Sequence, residues 1–416
     1  MKRISIVAVP LLVTVIVWAV SVPSMALQSG DGLMQLFGSL ALVGFATVML
    51  LSTRWRVLDR WFGGLDKMLV VHKWLGVASV GFVVVHLATR LILFGRSHSG
   101  MGQGGDMMGQ PVHLPFSEAA AMLFVILLIF ALWVKRMKYE TWQLVHKAMA
   151  LAYVCALTHY YIASMLAPFG ASPFSLWIDI TAITGVASAV YSVFLYNRLS
   201  FRHTYVVTAV RGLARDVAEI SGRATSAPLE LAPGQFVFAK FPESKFPAHP
   251  LTVSGTPAAD EITITVKDLG DNTRHLVETV KPDDTFALSG PYGQFDYTRG
   301  GVNQVWVAGG IGITPFHAFL GAPVPPRFSI DLFYGHHGPD QAIYATELAA
   351  ALPGNVRLHL MDDAADGLMT SGMIIAQCQT KPDDIYFCGP TEMRRALQPG
   401  FKAAGIKFHY EEFQFR

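Results

Sequence analysis

Cysteine is scarce in this chain: Cys155, Cys378 and Cys388 stand far apart, without the spacing of a disulfide framework or a structural zinc site. Charge is scarce too, at 15% Asp, Glu, Lys and Arg with a net charge of +2. No basic tract interleaved with aromatic residues is present, so nucleic acid is not an expected partner. Apolar mass takes the place of charge: 52% of the 416 residues are hydrophobic and the mean hydropathy is +0.39. That is too apolar for one soluble protein of this length.

The apolar excess is confined to the first half. Ile4 to Leu27, Leu33 to Ser52, Leu65 to Phe94, Phe116 to Val134, Tyr139 to Ala167 and Ser175 to Tyr196 are each long enough to span ~30 Å of hydrocarbon. Lys2, Arg3 and the small-residue ending Ser24-Met25-Ala26 also describe a cleavable signal peptide, but the first apolar stretch exceeds the ~7–15 residues of a usual signal core. Six spans are therefore expected. Arg54, Arg56, Arg60, Lys67, Lys135, Arg136, Lys138, Arg198 and Arg202 fall in alternate loops, which places those loops and the second half in the cytoplasm and the protein in the plasma (inner) membrane. The loop from Gly95 to Pro115 then faces out. Its His98, Met101, Met107, Met108 and His113 could gather copper, although a flexible Gly-rich loop is the simpler expectation.

Two spans carry histidines where imidazole is unwelcome. The third has His72 and His86, fourteen residues apart, and the fifth has His146 and His159, thirteen apart. At ~1.5 Å of rise per residue each pair is separated by roughly 20 Å along its helix. Both spans run in the same direction, so the four residues form two levels, His72 with His146 and His86 with His159. Two facing imidazoles per level suit a six-coordinate b-type haem, and two haems would carry single electrons across the membrane. Gly76, Ala150 and Ala163, one turn after their histidines, leave room for a flat ring; Arg90, one turn after His86, suits a haem propionate. The other reading is that polar side chains hydrogen-bond inside a bundle, and it weakens for four matched positions. One count resists: thirteen residues at ~100° leave His159 roughly 140° from His146 in an ideal helix. The fifth span must be overwound or bent, or the two haems must meet different sides of it.

After about Ser200 the pattern changes to short alternating runs broken by Pro and Gly, as in a soluble domain. "ITITVKDLGDNTRHL" is a strand that breaks at Gly270 ahead of Thr273, a turn able to present N–H groups to a phosphate with Lys267 as countercharge. "VWVAGGIGITPFHAFL" is a strand, a glycine-rich turn and a helix, the layout that cradles a pyrophosphate, though its spacing is not G-x-G-x-x-G. "DDIYFCGPTEM" ends a buried strand at Cys388, where open α/β sheets bind ligands; a buried cysteine before a turn is the plainer reading.

Taken together, the histidine pairs, "HPLT", "GPYGQF", "AGGIGITPF", "CGP" and the closing "EEFQFR" resemble the ferric reductase and NADPH oxidase superfamily, over nearly the whole chain from about Leu65 to Arg416. The resemblance implies a membrane all-α six-helix bundle, then a cytoplasmic antiparallel β-barrel FAD domain and an α/β nucleotide-binding domain. Boundaries are expected as 1–199 for the di-haem domain, 200–300 for the barrel and 301–416 for the NAD(P)H domain. It further implies that His249, Pro250, Leu251 and Thr252 hold the flavin, and that Lys267, Gly270 and Thr273 approach the FAD pyrophosphate. Gly309, Gly310, Gly312, Thr314 and Pro315 would hold the nicotinamide nucleotide, with Cys388 and Gly389 beside its ring. A terminal aromatic, Phe413 or else Phe415, would cover the flavin. Electrons would pass from NADPH or NADH to FAD, then through two haem b groups to an outer acceptor, because flavin converts a hydride into single electrons.

The acceptor is expected to be a ferric chelate. Oxygen-reducing members of the superfamily typically carry a further histidine where this chain has Arg90. Dioxygen reduction to superoxide, transfer to a partner or quinone, and a transporter with a regulatory nucleotide domain are the alternatives, and no broken helices argue for the last. "DLFYGHHGPDQ" offers His336 and His337 but no permanent cation for a 2′-phosphate, so the choice between NADH and NADPH stays open and dual use is plausible.

Overall fold

The computed structural model describes residues 2–21, 30–99, 139–163, 170–242 and 246–411, with 122, 123, 125, 126, 129 and 244. The chain divides into two units, residues 1–197 and 198–414.

The first unit is helical: α1 (Lys2–Ser21), α2 (Gly30–Ser52), α3 (Arg56–Phe62), α4 (Leu65–Ser99), α5 (Tyr139–Lys147), α6 (Met149–Ala163) and α7 (Pro173–Val190). A π-helical turn (Tyr191–Leu195) and α8 (Tyr196–Leu199) continue α7. Among the described residues three stretches are long and apolar enough to cross a membrane, Asp31–Ser52, Leu65–Ile92 and Pro173–Leu199, and Val7–Ser21 is a shorter apolar helix. The span expected over 116–134 lies largely outside the described residues, as does most of the Met- and Gly-rich loop. Local chemistry sets the helix ends. Ser172 and Ser175 form a reciprocal capping box before α7, with Pro173 in its first turn, and α3 stops at Gly63, which adopts a left-handed φ of 70°.

Leu42, Phe45 and Met49 of α2 pack with Val80 of α4 and with Tyr153 and Leu157 of α6. Gly44 lets α2 and α4 close up: a Cβ there would collide with the Ser79 hydroxyl. The expected fifth span is not one continuous helix. At Ala148 it tightens: the Ala148 N–H donates to Val145 C=O at 3.0 Å, and Ala148 C=O accepts Leu151 N–H at 3.0 Å. Such i→i+3 bonding advances the chain about 20° more per residue than α-helix, in the direction the histidine count requires.

The second unit begins with a closed antiparallel barrel of β1 (His203–Ala214), β2 (Val217–Ala224), β3 (Phe236–Lys240), β4 (His249–Gly255), β5 (Glu261–Lys267) and β6 (Thr285–Tyr292), in the order β1-β2-β5-β4-β3-β6. One short helix, α9 (Asp271–Thr279), lies between β5 and β6. A parallel sheet follows: β7 (Asn303–Gly309), β8 (Ser329–His336), β9 (Val356–Asp362), β10 (Asp384–Cys388) and β11 (Lys407–Tyr410), in the order β11-β10-β7-β8-β9. Its helices are α10 (Thr314–Leu320), α11 (Ala345–Ala351), α12 (Ser371–Gln377) and α13 (Thr391–Ala403). Central strands β7 and β10 are buried along their length, which is why they read as continuous apolar runs and do not alternate. After β9 the chain returns to the other side of β7, so the topological switch lies between β7 and β10. Open sheets of this kind bind ligands at that point.

Candidate functional site

In the helical unit the four histidines meet in two pairs. The ring centroids of His72 and His146 are 6.0 Å apart, and those of His86 and His159 are 6.4 Å apart. Helix α2 orients the α4 member of each pair. His72 Nδ1 lies 3.1 Å from Val48 C=O and His86 Nδ1 2.8 Å from Met34 C=O. A carbonyl only accepts, so both Nδ1 atoms carry a proton, and the neutral tautomer with Nδ1–H has Nε2 as its acceptor nitrogen. The acceptors, like the histidines, are fourteen residues apart, as two antiparallel helices in register require.

The partners on α5 and α6 are held differently. Nδ1 of His146 and of His159 is buried with no hydrogen-bond partner among the described residues. Trp142 stacks on the His146 ring at 4.9 Å and 15°. Gly38 of α2 is a residue the sequence reading missed: a Cβ there would lie 3.0 Å from His86 Nδ1. Gly76 is the reverse case, since a Cβ there would meet nothing within 4 Å. Arg90 sits half-buried one turn beyond His86.

In the second unit, β4 carries His249, Pro250, Leu251 and Thr252 opposite Ala239, Phe238, Val237 and Phe236 of β3. Leu251 points into the barrel core while its neighbours are half-buried. Lys267 ends β5, where its ammonium lies 3.4 Å from Asp216 and donates to Gln341 Oε1 at 2.9 Å. Gly270 caps α9, and Thr273 Oγ1 both accepts Leu269 N–H and donates to Gly270 C=O.

Helix α10 packs against β4, and His317 Nδ1 donates to Ser254 C=O at 2.7 Å, which joins the "HPLT" strand to the glycine-rich turn. That turn runs through Gly309, Gly310 and Gly312 into Thr314 and Pro315. It touches the end of β10 directly. A Cβ on Gly312 would strike the Cys388 carbonyl, and one on Gly389 would lie 3.1 Å from Gly309 N. Gly310 has φ +54°, which a side chain disfavours. Phe295, Pro315, Cys388 and Glu411 line a recess there, and Glu411 Oε1 accepts Gln294 N–H at 2.9 Å. Burial, reinforced by the Glu411 carboxylate, pushes the Cys388 thiol up, so it stays protonated and neutral. Phe413 and Phe415 lie outside the described residues.

Residues 37–157 match the ferric reductase like transmembrane component, and residues 202–296 match the FAD-binding domain. Both matches agree with the resemblance to the ferric reductase and NADPH oxidase superfamily carried by the motifs. Over 207 residues the chain is 28% identical to the electron transfer component of 2-halobenzoate 1,2-dioxygenase from Burkholderia cepacia, covering 45% of this chain and 60% of that one. A flavohemoprotein from a Burkholderia species is 27% identical over 202 residues, covering 45% and 51%. The chain thus spans between half and two thirds of these two relatives. A ferredoxin NADP+ reductase from Neisseria gonorrhoeae, solved with FAD and NADP, aligns over 50% of this chain and 98% of its own with 18% identity and a TM-score of 0.45. Together the two matches describe a ferric-reductase-like transmembrane domain joined to an FAD-binding domain.

Proposed function

We propose that the protein moves electrons from cytoplasmic NAD(P)H, by way of FAD and two b-type haems, to a ferric chelate outside the plasma membrane. The observation that carries this is the pair of imidazole couples at two depths of one apolar helix bundle. The imidazoles of each pair would supply the two nitrogen ligands of one haem iron. Their ring centroids lie 6.0 and 6.4 Å apart. The open space beside Gly76 fits a flat macrocycle against α4, and the Nδ1–H bonds to Val48 and Met34 are the outer partners that ligating histidines normally have. When bound, flavin turns a two-electron hydride donor into a source of single electrons, which haem iron accepts one at a time.

The chain's own residues prepare the remaining steps. N–H groups of the Gly309 to Gly312 turn open α10 toward a pyrophosphate, and the absence of side chains there allows close approach. Cys388 supplies a small neutral wall beside the nicotinamide, without nucleophilic chemistry of its own. Glu411 fixes the chain just ahead of Phe413 at the same recess as Pro315 and Cys388, which supports a terminal aromatic over the flavin. Arg90, beyond the outer histidine pair, offers a cation to an anionic ferric chelate or a propionate.

The test is an anaerobic absorption titration of the detergent-purified protein, supplied with FAD and then with NADH or NADPH. Haem bands should appear, become reduced, and reoxidise when ferric citrate is added. Haem that stays oxidised with both nucleotides would refute the coupling of the two halves. Absence of haem would refute the four ligands.

A further inference from the structure

The nucleotide site has a charge pattern on its ribose side that the motifs do not reveal. β8 is the second strand of the nucleotide sheet, and the chain just past such a strand meets the adenosine ribose. It ends at His336, whose register partner on β9 is Asp362. Three carboxylates gather at this edge. Asp363 Oδ1 lies 2.6 Å from His337 Nδ1, Asp362 Oδ1 accepts Gly338 N–H at 2.8 Å, and Asp366 Oδ2 accepts Asp362 N–H at 3.0 Å.

The segment from Tyr334 to Asp366 offers a 2′-phosphate little permanent positive charge. From Tyr334 to Asp366 the one permanent cation in the sequence is Arg357. It is bound to Asp331 and Gln379, five residues and so about 16 Å along β9 from Asp362. His336 does not substitute for it. Its Nδ1 donates to Gly338 C=O at 3.0 Å, which leaves the neutral ring an acceptor at Nε2. His337 already faces Asp363, and its side chain is 80% exposed.

We propose that Asp363, supported by Asp362 and Asp366, makes NADH rather than NADPH the electron donor of this protein. The inference rests on the nucleotide reading given above, and it decides a choice of donor that the sequence leaves open. A 2′-phosphate brings about −1.5 to −2 charges at pH 7 to an edge that is already anionic. A 2′-hydroxyl is a donor, and a carboxylate at the end of such a strand accepts from it. The same groups therefore repel one nucleotide and hold the other.

The experiment is anaerobic stopped-flow bleaching of the flavin in the purified full-length holoenzyme, with NADH and NADPH in turn, at low and high salt. NADH should exceed NADPH in kcat/KM by about tenfold or more, and the gap should narrow at high salt because exposed charges are screened. Asp363→Asn should shrink the NADH to NADPH ratio by roughly threefold or more, chiefly through a lower KM for NADPH, and Asp363→Ser should do the same. FAD content checks that each variant is folded. NADPH performing as well as NADH, or a ratio that neither substitution moves, overturns the proposal. Bleaching by neither nucleotide would instead refute the nucleotide site itself, and the proposal with it.

Discussion

Gly76 separates a haem site from an ordinary helix bundle. It follows His72 by one turn of α4, and a side chain there would meet no protein atom within 4 Å. By helix propensity alone, Gly76→Leu gains about 0.8–1 kcal/mol, so the bundle should not suffer. A haem ring lying against that turn would overlap the new side chain, and overpacking costs about 1–3 kcal/mol. At 1.36 kcal/mol per decade this is roughly 5- to 160-fold weaker retention of the inner haem. The assay is transfer of haem from the purified variant to excess apomyoglobin, with a pyridine haemochrome count before and after. One haem per chain should leave rapidly while the other stays at the wild-type rate. Gly38→Ala is the complementary variant: its Cβ would sit 3.0 Å from His86 Nδ1 and 3.2 Å from Cε1, so the outer haem should be the one loosened. Wild-type retention of both haems in Gly76→Leu, or equal loss of both, would refute the placement of the ring.

Two further outcomes test the second unit. Gly312→Ala would drive a methyl group into the Cys388 carbonyl; flavin reduction by nicotinamide should fall by an order of magnitude or more while bound FAD is retained, and parallel loss of FAD would show that the turn serves the barrel instead. Burial alone would raise the Asp331 carboxyl, but Arg357 at 2.7 and 2.6 Å and His359 at 2.8 Å outweigh it and hold the group below the ordinary range. A depressed carboxyl contributes stability above the unfolded value of about 3.9, and that stability is lost as pH falls through the folded value. Arg357→Gln should cost about 1–3 kcal/mol, less than a fully buried pair because Arg357 is one-third exposed. Acid release of FAD, followed by flavin fluorescence, should then move to higher pH, and an unchanged midpoint would remove this role.

The sequence made some of this legible because few physical situations call for the residues concerned. Imidazoles inside apolar runs need partners, so His72, His86, His146 and His159 could be paired by helix rise alone. The glycine turn after β7 could be located from its flanking strand and helix. What stayed hidden depends on register between distant segments. Cys388 sits opposite Ala308 because β10 pairs with β7 across eighty residues, and no local pattern announces that. His336 comes opposite Asp362 through the same kind of parallel pairing, so the charge of the ribose edge could not be read from "YGHHGPD". Gly38 was hidden because its importance lies in the ring of a histidine on another helix.

The two histidines of each level are not equivalent, and that difference follows from how the spans are built. α2 and α4 run antiparallel with matched fourteen-residue spacings, so both α4 rings are fixed by backbone carbonyls that cannot rotate away. The opposite rings belong to a chain that tightens at Ala148 and must be held by packing: His146 by Trp142, and the end of α6 by Tyr161, whose hydroxyl donates to the buried Asp179 at 2.8 Å while Gly170 N–H donates to its other oxygen at 2.9 Å. In the proposed haem sites, each pair would thus combine one histidine held by a backbone carbonyl with one held by packing. The i→i+3 turn at Ala148 serves that arrangement, since without overwinding thirteen residues cannot present His146 and His159 to the same neighbour. The odd spacing in the sequence and the tightened turn in the structure are thus one feature, and the register of α4 against α2 is what makes it necessary.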